Sequence, residues 1–196
     1  MNSAVLASTR YRTIDLVTVA MLGVAFGVIF WGWGKFYDLV DLGATVGFKP
    51  AAALLGGTWL MAGVVGGLIV RRPGAAFATE FVAALISMVV LGGTSWGTTV
   101  LVSGAVQGIG AELIFALFLY RRFDLLTAVL GGALSAVLEA FYEWKTFFEY
   151  WDLTWRLVHL SFLVTSGVLI AGVGGWLLVR ALARAGALDA FGSGRP

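Results

Sequence analysis

Long uncharged runs set the pattern of this chain. Residues 16–34 and 50–70 carry no charged side chain, and a longer run from 73 is interrupted only by Glu80 and Glu112 before Arg121. A hydrocarbon core about 30 Å thick takes about 20 apolar residues per helix, so the third run is too long for one crossing. Turn-forming residues cluster at Gly92-Gly-Thr-Ser-Trp-Gly97 and divide it. The pattern predicts helices at about 14–34, 50–70, 74–91, 98–120, 123–144 and 157–180. That is an all-α membrane protein, a compact bundle of six transmembrane helices forming a single transmembrane domain over residues 1–196.

Composition agrees with this reading. The chain is 60% hydrophobic and 12% charged, half the charged share of an average soluble domain. With no cysteine there is no disulfide framework, thiol nucleophile or thiolate metal site. The cations are divided unevenly between the two sets of loops. Arg10, Arg12, Arg71, Arg72, Arg121, Arg122, Arg180, Arg184 and Arg195 fall on one side, and Lys35, Lys49, Lys145 and Arg156 on the other. The positive-inside rule therefore places both termini in the cytoplasm of a multi-pass plasma-membrane protein. The first apolar stretch follows Arg10 and Arg12 without a small-residue cleavage site, and is read as a retained helix. No basic run suits nucleic acid. Glycines at Gly23, Gly27, Gly63, Gly67, Gly104 and Gly108 recur at the spacing that lets helix backbones approach in lipid. Ala20, Gly23 and Gly27 on the first helix could equally face a partner subunit.

Polar residues inside the spans ask for partners. Trp96, Thr99, Ser103 and Gln107 follow one another at spacings of three and four, so they form one stripe descending from the outer loop. Glu112 is five positions beyond Gln107, about 140° around the helix, and needs a separate explanation. Glu112 and Glu80 lie at matching depth, about 13 Å and 12 Å of rise from Arg121 and Arg72. A carboxylate there costs at least about 2.5 kcal/mol to insert, so each needs a hydrogen-bond partner, a protonated form or a wet cavity. Interhelical bonding is the plainer reading for both, with Glu112 holding helices together or supporting a site from beneath. Ser135, Glu139 and Glu143 form a second ladder with Tyr142 adjacent. Glu139 is the member that lipid would refuse.

Six of the eight tryptophans (Trp31, Trp33, Trp96, Trp144, Trp151 and Trp155) fall at the outer boundary, and Trp59 and Trp176 do not. An interfacial belt would show on both faces. The one-sided set, beside Asp38, Asp41, Glu139, Glu143, Glu149 and Asp152, suits a cage for a cationic aromatic solute. His159, the only histidine, stands at the outer end of the sixth helix as either a ligand donor or an interfacial side chain. The sequence has no GxxxxGK[ST] or HExxH motif, and its GxSxG match, GTSWG at 93–97, falls in the turn expected between two helices rather than at a strand-to-helix elbow, so neither ATP binding by a P-loop nor hydrolytic chemistry is indicated, and no cofactor is expected.

The segments "RRPGAAFATE" (71–80) and "VQGIGAELIF" (106–115), with "WG" at 96–97 between them, resemble the substrate-binding S components of energy-coupling factor (ECF) transporters, specifically the YkoE-type family that handles thiamin and its hydroxymethylpyrimidine precursor. The resemblance covers about 15–125. It implies a six-helix S component with an outward-facing site, a transmembrane T component and two cytoplasmic ATPase subunits as partners. Glu80, Gln107, Gly108, Gly110 and Glu112 match the motifs. Ser87 stands where the family often has a carboxylate, which would pass the reading of an aminopyrimidine to Glu139 or Glu143, or else imply a different substrate. The residues expected at the substrate are Gln107, Ser103, Glu139, Glu143, Tyr142, Trp33, Trp59, Trp96, Glu80, Glu112 and His159. The rival expectation is a self-sufficient proton-coupled carrier or channel for a small cation, with Glu80 and Glu112 as a relay.

Overall fold

The computed structural model describes residues 10–90, 93–191 and 193; Arg195 of the charge pattern and Gly92 of the expected turn lie outside them. Every regular element described is helical. In chain order they are α1 (Thr13–Val40), a short α2 (Leu42–Thr45), a 3-10 stretch Lys49–Leu60 running directly into α3 (Met61–Val70), α4 (Ala75–Val89), α5 (Thr99–Leu117), α6 (Leu125–Thr146), α7 (Leu153–Ser166), a π-helical stretch Gly167–Gly174, and α8 (Gly175–Arg184). Among the described residues, five continuous rods are long and apolar enough to cross a membrane, and α4 is a shorter apolar helix.

Several ends differ from those read in the sequence, each for a local reason. Helix α1 passes Gly34 and stops only at Asp41, whose φ of 35° is left-handed. Lys35 and Asp38 mark the end of the apolar run but have no power to end a helix that continues into the polar zone. The last rod begins at Leu153 because Asp152 caps it, accepting from the Trp155 N–H at 2.9 Å. Asp124 caps α6 in the same way; the Thr127 backbone N–H holds its carboxyl below the usual range.

Two stretches depart from α-winding, and they face each other. A 3-10 run of twelve residues is long for that conformation. Ser166 supplies bonds that the run would otherwise make internally. Its hydroxyl accepts from the Gly57 N–H at 2.9 Å and donates to the Leu54 carbonyl at 2.6 Å. A rise of about 2.0 Å per residue also lengthens this rod relative to an α-helix. The π stretch lies where the backbones of Gly132 and Gly167 meet so closely that a Cβ on either would overlap the other's carbonyl.

Helix α4 packs between α1 and α5, and α6 packs between α5 and the last rod. Gly23 and Gly27 face α4: a Cβ at Gly23 would overlap Val82, and one at Gly27 would overlap Ile86. These glycines pack inside the bundle, whereas Ala20 is exposed. The core is built largely from small side chains, with Ala62, Ala75, Ala83, Ala111, Ala128, Ala136 and Ala140 fully enclosed. Close backbone approach makes room for the polar groups described next.

Candidate ligand-binding site

A cavity of about 260 Å³ opens among the turns at the arginine-poor end of the bundle. Its size lies near the lower end for small-molecule pockets, which suits one or two rings. One wall is an edge-on aromatic cluster: the Trp59 ring is 5.3 Å from Tyr37 and 5.4 Å from Trp96, and Tyr37 is 5.7 Å from Trp96. The opposite wall is the stacked pair Phe148 and Trp151, 4.0 Å apart, whose edges meet the His159 ring. Thus α1, the 3-10 stretch and the turn before α5 supply one wall, and the turn between α6 and α7 supplies the other.

Lys49 on the 3-10 stretch and Tyr37 on α1 add polar ends to the lining, and the connected polar groups come from α5, α6 and α7. Gln107 Nε2 donates to Ser103 Oγ at 2.9 Å, and Ser103 Oγ donates to Glu139 Oε1. Glu139 Oε2 is buried without a hydrogen-bond partner. Because Glu139 lines the cavity, this oxygen is an acceptor left for something else. Higher on α6, Glu143 Oε2 stands 3.1 Å from His159 Nε2, within ion-pair range but off the line of a hydrogen bond. The remaining rung of the α6 ladder, Ser135, donates to the Gln107 carbonyl at 2.7 Å and fastens α6 to α5.

Of the residues expected at the substrate, the cavity therefore gathers Gln107, Ser103, Glu139, Glu143, Trp59, Trp96 and His159. The other four lie outside its lining. Tyr142 donates to the Thr99 carbonyl at 3.1 Å, and Trp33 Nε1 to the Leu55 carbonyl at 2.9 Å. Glu80 is enclosed on α4, with Oε2 accepting from the Gly63 N–H at 2.6 Å and Oε1 without a partner. Glu112 lies toward the arginine-rich end. Its Oε1 accepts from the Gly74 N–H (2.5 Å) and the Tyr120 hydroxyl (2.7 Å), and its Oε2 from the Ala76 and Phe77 N–H groups (3.0 and 3.2 Å). It caps the first turn of α4 from another helix, satisfying amides that have no partner within α4.

The six-acid cage reduces to Glu139 and Glu143. Asp38 accepts from the Ser95 hydroxyl, Asp41 from the Ala44 N–H, and Asp152 caps α7. Ser87 donates to the Ala84 carbonyl and lies outside this cavity. Phe30, Tyr37, Phe147 and Phe148 are lining residues that the tryptophan count passed over. The signal for Phe30 and Tyr37 was their seven-residue spacing on one face of α1.

Residues 14–138 match the family described as ABC-type cobalt transport system, permease component. The chain is 26% identical over 187 residues to a Bacillus subtilis (strain 168) protein, YkoE, named as a candidate HMP/thiamine permease; the match covers 94% of this chain and 91% of that one. A crystal structure of an S-component of an ECF transporter superposes with a TM-score of 0.81 at 26% identity, covering 95% of this chain and 92% of the other. The likeness thus runs through the last third of the chain as well as the segments that first suggested it. The chain belongs to the ABC-type cobalt transport system permease family, within which it is an ECF-transporter S component of the YkoE type, a membrane-embedded transport protein and not an enzyme.

Proposed function

We propose that this chain binds thiamin or its hydroxymethylpyrimidine precursor from the extracellular side and passes it inward as part of an ATP-driven complex with a T component and two ATPase subunits. The observation that carries the reading is the orphaned Glu139 Oε2 in an aromatic-walled cavity, at the end of the chain from Gln107 through Ser103. Such a carboxylate accepts from an aminopyrimidine edge, and facing aromatic walls suit flat rings and a ring cation. Among the described residues no group of three or more His, Asp or Glu is placed to hold a metal ion. The lining therefore favours an organic cargo over the metal in the family's description. The arginine-poor position of the cavity, with the positive-inside rule, supports the outward orientation.

Trp59, Trp96 and Trp151 line the cavity, so bound ligand should quench their fluorescence. Purified protein is expected to show saturable quenching by thiamin or hydroxymethylpyrimidine. Absence of saturation with both would remove the assignment.

A further inference from the structure

We propose that Trp144 is a positioning residue that holds His159 in its neutral Nε2–H form, so that Glu143 presents an uncancelled negative charge to a cationic ligand. This rests on the cation-binding reading above. Trp144 is not part of the cavity lining, and its ring packs edge-on against Phe141 at 4.8 Å. Its polar end does reach the site indirectly, because Nε1 donates to His159 Nδ1 at 3.3 Å.

An indole N–H can only donate, so Nδ1 must offer its lone pair, and the ring's single proton then sits on Nε2. Nε2 is the atom 3.1 Å from Glu143 Oε2. A second proton, on Nδ1, would set donor against donor and strand the indole N–H. The difference matters to a cationic ligand. An imidazolium beside Glu143 would form an internal ion pair and compete with the ligand for the carboxylate, whereas a neutral imidazole leaves its charge uncancelled.

Other charged and titratable groups bear on this ring. Glu139 and Glu143 reach the cavity from α6, Lys49 from the 3-10 stretch and Tyr37 from α1. On its own helix Arg156 is one turn away, with Nη2 donating to the Glu149 carbonyl, and Asp152 caps the first turn. His159 is 3% exposed and has the Phe148 and Trp151 rings 5.2 and 5.5 Å away.

His159 is the only histidine, so its ring can be observed without ambiguity in the full chain. In protein labelled with 15N-imidazole histidine, NMR is expected to show an unprotonated Nδ1 and a protonated Nε2 throughout about pH 6 to 8, a window spanning the ordinary histidine range. In Trp144→Phe the ring should take up a second proton across that window. Thiamin affinity of this variant should then fall roughly tenfold per unit of pH below the titration midpoint, the proton-for-ligand exchange expected of one competing site. The double variant Trp144→Phe/His159→Gln, which has no proton to accept there, should lose that slope. An imidazolium or an Nδ1–H tautomer in the wild-type protein at pH 7 overturns the proposal, and this measurement needs no variant to fold. A flat thiamin profile in a folded Trp144→Phe also overturns it. Absence of thiamin binding by the wild-type protein at every pH removes the cation-binding reading, and this proposal with it, whatever the tautomer; the functional reading itself falls only if hydroxymethylpyrimidine fails to bind as well.

Discussion

At the residue scale, the distinction between Gln107 and Glu112 was legible from helix geometry alone. Five residues turn an α-helix about 140° past one full revolution, and the two side chains meet different surroundings: Gln107 lines the cavity, while Glu112 caps α4. What the spacing could not give was the nature of the Glu112 partners, because Gly74, Ala76 and Phe77 contribute only backbone amides and their side chains carry no signal. Gln107→Leu removes the donor to Ser103, and is expected to weaken thiamin or hydroxymethylpyrimidine binding by about 1–3 kcal/mol, the cost of unpaired buried polar groups. Titration by fluorescence quenching would measure this, and unchanged affinity would take Gln107 out of the site. Glu112→Leu strands amides at the start of α4, and should lower thermal stability before affinity, again by about 1–3 kcal/mol. The neutral Glu112→Gln is harsher than its sequence context suggests. All four contacts on Glu112 are donors, of which only the Tyr120 hydroxyl can turn to accept, so the new amide group must face a backbone N–H. Thermal melts are expected to rank wild type above Glu112→Gln and Glu112→Gln above Glu112→Leu.

At the element scale, the six apolar runs were plain in the sequence because lipid demands them, but their winding was not. The 3-10 run and the π stretch follow from a meeting between segments 109 residues apart, Gly57 with Ser166, which no local pattern reports. The early end expected for α1 has the opposite cause: Lys35 is a strong local signal with little structural force. The Asp152 cap was readable as an Asp before an apolar run, and the charge of Arg156 masked it. Two glycines separate local from tertiary demand. A Cβ at Gly57 would overlap Ser166, whereas one at Gly32 in α1 would meet nothing within 4 Å. Gly57→Ala should therefore destabilise by about 1–3 kcal/mol, as overpacking does, and Gly32→Ala should be neutral or stabilising by about 0.4–1 kcal/mol. Detergent-solubilised thermal melts compare them directly; equal effects would mean that the Gly57 contact yields without cost.

At the scale of the whole molecule, the charge asymmetry and the cavity position support one direction of entry, and the packing below the cavity bears on how cargo could leave. Beneath Glu139 the interior closes over small residues. Gly108 meets the Phe77 backbone, Gly63 lies against Glu80 and Ala111, and Gly67 lies against the Phe115 ring. A Glu80–Glu112 proton relay would need side chains free to exchange protons along this path, yet both oxygens of Glu112 are occupied by donors and Glu80 Oε2 is bonded to Gly63. Native interiors packed this closely do not open by a local side-chain shift, which supports the proposed dependence on partner ATPases for release toward the arginine-rich end. The sequence holds no P-loop of its own. Liposomes carrying this chain alone should accordingly bind labelled thiamin up to the amount of protein present, with no further uptake under an imposed proton gradient. Co-reconstitution with a T component and its ATPases should make uptake exceed that amount in an ATP-dependent manner. Accumulation by the chain alone, driven by the gradient, would establish the carrier instead, and Glu80, with its unpartnered oxygen, would be the first residue to substitute.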